Sequence, residues 1–279
     1  MPRFALICLP VAAAHVAISI TDQILEPAFM GIGFDLLAGL EAMDKDFFNE
    51  IYGKRLQEFR PGFVRMDPGV TSSVQVQKNV NRTLQVLGDI GSTIYFTTFT
   101  APYINASRHA ESLAVYADKV VGVLAQHVAV APESVRYYCW TNELSLCVPW
   151  DCGPPNNGWA SLVRGKRFDI WEAYHRAFHA SLARAGLDAS IGLGATDASP
   201  IEYWDSMDWA LENVDDVTAI YEAHHYPAAN TSAMDQRFYS YWLDEVSKTA
   251  EKIRSRVGKR FIVGETGGPQ WSSSLLVLQ

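Results

Sequence analysis

No basic cluster, no run of Gly, Ser and Pro, and no low-complexity tract interrupts this sequence of 279 residues. With no linker to divide it and 48% hydrophobic residues, the chain can bury one large core, so a single domain is expected. Lysine and arginine number 23 against 31 aspartate and glutamate, a net charge of −8. Lacking a basic stripe to neutralise phosphates, the chain is not expected to bind nucleic acid. Past the first residues, no apolar run approaches the ~20 residues needed to cross a bilayer, so no membrane span is expected. The GxGxxG turn of dinucleotide-binding folds is missing, as are GxSxG and HExxH, which argues against serine and zinc hydrolases. No cofactor is expected.

Cysteine is scarce, with only Cys8, Cys139, Cys147 and Cys152. No CxxC pair occurs and no histidine is close in sequence, so a zinc site is not expected. Cys147 and Cys152 have a spacing that can close a small loop in an oxidising compartment. His175 and His179 stand at i, i+4, a ligand spacing, but without the glutamate of HExxH or a third ligand they read as ordinary helix residues. No metal is expected.

The start of the chain combines Met1-Pro2-Arg3, an apolar run from Phe4 to Ala13, and the small residues Ala12-Ala13-Ala14. This pattern reads as a signal peptide over 1–14, leaving 15–279 as a secreted mature chain. The competing reading is a first core strand, because Val16 to Ile20 continue with alternating apolar residues. Three sequons, at Asn81, Asn105 and Asn230, permit glycosylation.

Short runs rich in branched and aromatic residues alternate with longer amphipathic stretches, the signature of βα units around a parallel sheet. The strand candidates are 29–34, 63–66, 94–99, 135–140, 190–195, 219–225 and 260–263. Between them, 44–59, 73–87, 110–127, 166–185, 201–213 and 235–257 carry helical spacing, and Gly186 and Gly258 are expected as left-handed stops. An open doubly wound sheet and a closed (β/α)₈ TIM barrel both fit this order. Gly31-Ile32-Gly33 lacks the third glycine of the nucleotide fingerprint, so the α/β barrel is preferred. Its site lies at the C-terminal strand ends, where Arg65, Asn142, Glu143, His224 and Glu265 gather.

Glu143 and Glu265 follow the fourth and seventh strands immediately, and such strands face each other across a barrel mouth. Paired carboxylates suit acetal hydrolysis: one protonates the leaving oxygen and the other attacks the anomeric carbon in a retaining enzyme, or activates water in an inverting one. An arginine beside one glutamate would favour its ionised form, separating the two roles.

Asn142-Glu143, Glu265, His224-His225-Tyr226 and Arg65, in that strand order, resemble the clan A glycoside hydrolases, most similar in style to family 39 and family 5. The resemblance implies a retaining hydrolase of β-glycosidic bonds, with Glu143 as acid/base and Glu265 as nucleophile. It implies that Asn142 contacts the sugar 2-hydroxyl, against a plain reading as a loop cap. It also selects His224 and Tyr226, by the His-x-Tyr spacing, over the register that would bring in His225. Tyr226 would then hydrogen-bond the nucleophile, and a carbohydrate is the implied partner.

Trp140, Tyr103, Trp150, Trp159 and Trp271 are candidate sugar platforms, although core or loop packing is the commoner role of each. Trp150 and Trp159 have the better case, lying in the Pro- and Gly-punctuated stretch after Glu143. Asp35, Asp67, Asp151 and Asp197 read equally as substrate contacts or helix N-caps. Only fourteen residues follow Glu265, so the barrel is expected to be incomplete after its seventh strand. Exposed strand edges would then invite self-association. The rival reading is a non-catalytic carbohydrate-binding barrel or an inactive fragment.

Overall fold

A computed structural model describes residues 33–36, 43–70, 72–99, 101–102, 104, 108–143, 168–198, 204–224 and 236–265. Seven strands are β1 (Gly33–Asp35), β2 (Phe63–Met66), β3 (Thr93–Thr97), β4 (Val135–Cys139), β5 (Gly192–Ala198), β6 (Ile220–Ala223) and β7 (Arg260–Val263). Each pairs in parallel with the next, in the order β1 to β7. Parallel neighbours need a crossover, and the helices supply it. These are α1 (Lys45–Phe47), α2 (Gly53–Phe59), α3 (Val74–Ile90), α4 (Ala110–Val130), α5 (Phe168–Arg184), α6 (Trp204–Asn213) and α7 (Gln236–Val257). Among the described residues the seven strands curl as part of a (β/α)₈ barrel, as the alternation of strand and helix patterns predicts.

The helix between β1 and β2 differs from the single element expected over 44–59. Phe48–Tyr52 forms a π turn between α1 and α2, in which the Gly53 N–H reaches back to the Phe48 carbonyl. One extra residue per turn is accommodated there, which periodicity alone does not register. Asp44 starts the element by accepting from Phe47 N–H at 2.7 Å, and Ser73 caps α3 through Val76 N–H at 3.3 Å. Gly186 and Gly258, with φ of 69° and 68°, are the left-handed stops after α5 and α7.

Alternate residues of each strand face opposite ways, and the two faces bury different chemistry. Val64, Met66, Ile94, Phe96, Tyr138, Leu193 and Tyr221 face outward into the large core beneath the helices. Phe63, Tyr95, Cys139 and Ile220, joined by Tyr137 and Ile262, face inward as a smaller cluster. Above them the inward positions turn polar. Burying each large outward side chain contributes roughly 1.5–3 kcal/mol, so the helix–sheet layer carries most of the fold's stability.

Among the described helices, α4 alone is long and apolar enough to cross a membrane. Glu111, Asp118 and Lys119 punctuate it, so it forms no continuous apolar run in the sequence. Its Leu113, Ala117, Val120, Val121 and Leu124 are buried in the core, the spacing of a helix face laid on a sheet.

Candidate active site

Arg65 is the hub of the inward polar layer. Placed on β2 at the inward register and 1% exposed, its guanidinium has five donors to distribute. Nε donates to Thr97 Oγ1 at 3.1 Å, Nη2 to Asn142 Oδ1 at 2.6 Å and to Asp197 Oδ2 at 3.1 Å, and Nη1 to Glu265 Oε1. Phe99 packs its ring 5.5 Å from the guanidinium carbon. One side chain thereby ties β2, β3, β4, β5 and the end of β7.

His224, immediately after β6, is fully buried with a carboxylate at each ring nitrogen. Nδ1 lies 2.7 Å from Glu143 Oε1, and Nε2 lies 2.5 Å from Asp197 Oδ1. Burial alone would lower its pKa, but Asp197 and Glu143 outweigh that and raise it to about 10, making it an imidazolium at neutral pH. Burial likewise penalises the Asp197 carboxylate, yet Arg65 and His224 hold its pKa below the ordinary value.

Glu143 and Glu265 stand above this layer with side chains 13% and 15% exposed. One oxygen of each, together with a His224 ring nitrogen, lies within 4.8 Å of the others. Glu143 adopts a left-handed backbone with φ 43° and donates its N–H to the Asp197 carbonyl at 3.0 Å, while Asp197 itself has φ 54°. Such conformations cost about 1–3 kcal/mol at non-glycine residues and persist only where surroundings hold them. Here the register between β5 and β6 shifts at Thr196–Ala198, a bulge that aims the Asp197 side chain inward.

Of the residues expected at the site, Arg65, Asn142, Glu143, His224 and Glu265 converge. Tyr226, Trp150, His225, Tyr103, Trp159, Trp271, Asp151, Cys147 and Cys152 lie outside the described residues. Trp140 is not a sugar platform: it is fully buried and stacks on Tyr174 of α5 at 4.6 Å. Its outward register on the β4 line places it beneath the helices. Asp197 is a buried counter-ion rather than a substrate contact or helix cap. Asp67 ties two loops by accepting from Gly69 N–H at 2.6 Å and Phe99 N–H at 3.3 Å. His175 is a core residue, its Nε2 donating to Thr218 Oγ1 at 2.9 Å while that hydroxyl donates to the Val214 carbonyl. Glu222 and Tyr95 were not anticipated; Glu222 shares the inward face with His224 because the two are separated by two positions on a strand.

Among the described residues, two groups of three donors have ligand spacing: Glu143, His224 and Glu265, and the buried set Cys139, Asp197 and Glu222. In both, positive charge is already in place. Arg65 contacts Glu265, Asp197 and Glu222, and His224 contacts Glu143 and Asp197. A metal would have to displace those cations.

Parallel βα units curled about an inward polar layer, with functional groups at the C-terminal rim, define the class: a (β/α)₈ barrel with an enzyme-like strand-end site. Its fold is similar to that of solved clan A glycoside hydrolases. A family 5-4 broad-specificity endoglucanase from an uncultured bacterium superposes with a TM-score of 0.58 at 11% identity, over 88% of this chain and 77% of that one. A family 5 enzyme from Prevotella bryantii B14, solved with a xyloglucan tetradecasaccharide, gives 0.54 at 14% identity over 85% and 76%. A modular endo-β-1,4-mannanase from Cellulomonas fimi gives 0.55 at 11% identity over 85% of this chain and 56% of that one. No family model and no curated protein matches the sequence.

Proposed function

We propose that this protein is a retaining glycoside hydrolase acting on β-glycosidic bonds of oligo- or polysaccharides, with Glu265 as nucleophile and Glu143 as acid/base. The observation that carries the reading is the approach of the Glu143 and Glu265 carboxyl oxygens to within 4.8 Å. Retaining enzymes hold their carboxyls ~5–5.5 Å apart, whereas inverting enzymes leave ~6.5–9.5 Å for a water. The endoglucanase, xyloglucan-bound and mannanase neighbours support a β-linked carbohydrate as substrate.

In the first step Glu265, oriented by Arg65, attacks the anomeric carbon while Glu143 gives a proton to the departing oxygen. The glycosidic C–O bond breaks and an ester to Glu265 forms. In the second step Glu143 takes a proton from water, whose oxygen attacks the same carbon and frees Glu265. His224, 2.7 Å from Glu143 Oε1, holds the acid/base in place across both steps. Because a guanidinium offers no acceptor, Arg65 fixes Asn142 with Oδ1 toward itself and leaves the amide N–H₂ as the donor for a sugar hydroxyl.

Turnover of aryl β-glycosides by the wild type, Glu143→Ala and Glu265→Ala tests this. Glu143→Ala should lose about 10²–10⁴-fold, less on activated leaving groups that need no proton, and Glu265→Ala should be inactive on all of them. Equal inertness of all three proteins, or a first-formed sugar of inverted anomeric configuration by NMR, defeats the reading.

A further inference from the structure

Below the rim lies a buried acid that this reaction does not use. Glu222, on β6 two residues before His224, is fully buried. Arg65 Nε approaches its Oε1 at 3.3 Å and His224 Nε2 is 4.0 Å away. From β5 and β4, an Asp197 oxygen and the Cys139 sulfur lie within 4.8 Å of one of its oxygens. The Tyr95 side chain of β3 also faces Glu222. From the β7 side, a Cβ on Gly264 would fall 1.7 Å from Oε1. The carboxyl therefore fills the space left open by the residue directly before Glu265.

Three acids, Asp197, Glu222 and Glu265, thus share one guanidinium. Asp197 and Glu265 have directed bonds from it, and Asp197 also has His224. Glu222 is sealed from solvent with the Asp197 carboxylate beside it, and an ionised carboxylate in such surroundings is strongly disfavoured.

We infer that Glu222 is a positioning residue that works by staying uncharged: it leaves Arg65 to Asn142, Asp197 and Glu265, and its ionisation draws the guanidinium down from the rim. The catalytic consequence rests on the glycosidase reading. The titration agrees in direction, since burial and Asp197 push Glu222 up to about 8 against the pull of Arg65 and His224.

Glu222→Gln, a neutral group of the same shape, tests this with two readouts. Relative to an unfolded glutamate at 4.5, the folded wild type binds its proton more tightly and so loses stability as pH rises from 4.5 to about 8. Glutamine has no such loss, and the melting-temperature difference should grow in favour of E222Q across that window. A difference that is constant, or that moves against E222Q, overturns the inference. In activity, wild-type kcat/KM should fall about tenfold one pH unit above the Glu222 transition, and E222Q should hold its rate there; an unmoved alkaline limb overturns it.

If E222Q does not fold, infrared spectra of Glu143→Gln with isotope-labelled glutamate replace it, so that the acid/base proton does not contribute. A protonated-carboxyl band present at about pH 6 and lost by about pH 9 supports a neutral Glu222, and its absence at about pH 6 refutes it. If no aryl glycoside is turned over by either protein while the stability difference has the expected sign, the reaction assignment fails and the uncharged Glu222 stands.

Discussion

Arg65 does at the level of one side chain what no other residue type could do there. Its planar fork bonds Thr97, Asn142, Asp197 and Glu265 in different directions, and lysine, a point charge on a flexible stem, cannot reproduce that fan. Arg65→Lys should keep the charge yet lower kcat/KM by about 10²-fold, the scale set by misplacing catalytic groups by ~1 Å. Arg65→Ala should go further and destabilise the fold by about 3–5 kcal/mol, because Asp197 loses a buried partner. Steady-state kinetics and denaturant unfolding of the two variants separate these effects; equal activity of Arg65→Lys and wild type would show that the fork is not needed. Arg65, Asn142, Glu143, His224 and Glu265 were legible in the sequence because each stands at a strand end, where a polar residue interrupts an apolar run. Glu222 was not, and Asp197 was legible only as a substrate contact or helix cap. Glu222 sits inside β6 between Tyr221 and Ala223, where the inward face is marked only by its two-residue relation to His224. Asp197 needed a bulge to turn inward, and a bulge has no sequence pattern of its own.

At the scale of elements, the barrel lumen depends on where glycine stands. Gly194 on β5 is opposite the Tyr95 hydroxyl of β3: a Cβ there would come within 2.1 Å of that oxygen and 2.9 Å of the ring carbon bearing it. Gly194→Ala should therefore destabilise by about 1–3 kcal/mol, the cost of overpacking a filled core. Removing the hydroxyl with Tyr95→Phe should recover part of that loss, and a double-mutant cycle by chemical denaturation measures the coupling. Strict additivity of the two changes would mean that they do not meet. On the other face, Trp140 stacks on Tyr174 and meets Trp171 of α5 at a tilt, and truncation to alanine should cost about 3–5 kcal/mol. Element order and, apart from the helix between β1 and β2, the approximate helix spans followed from periodicity, since parallel strands buried on both faces and amphipathic helices have distinct patterns. The face to which an aromatic belongs did not. Trp140 directly precedes the polar run 141–143, and only the strand register separates a residue beneath α5 from one at the mouth.

For the molecule as a whole, the buried titratable groups set opposing limits on stability. His175, sealed in the core against Trp171 and Thr218, has its pKa pressed by burial from 6.5 down to about 3. Burial lowers His127 too, despite its bond to the Pro68 carbonyl. A group held neutral in this way keeps its full contribution above 6.5 and loses it as pH falls, because the unfolded chain takes up the proton first. Asp197, held below its ordinary value of 3.8, adds a further loss at lower pH. Glu222 acts in the other direction, its penalty growing from 4.5 to about 8. His224, raised from 6.5 to about 10, contributes fully below 6.5 and progressively less as pH climbs to 10. Between 4.5 and 6.5 the His175 and Glu222 slopes oppose each other; above 6.5 Glu222 and His224 fall together, and below 4.5 His175 and Asp197 do. Calorimetry should accordingly find the melting temperature highest and flattest between about pH 4.5 and 6.5, with a steeper decline on the alkaline side in wild type than in E222Q. A maximum above about pH 8 would mean that the His224–Asp197 contact does not hold a proton in the folded barrel. The acid/base geometry built around His224 would then have to be reassigned.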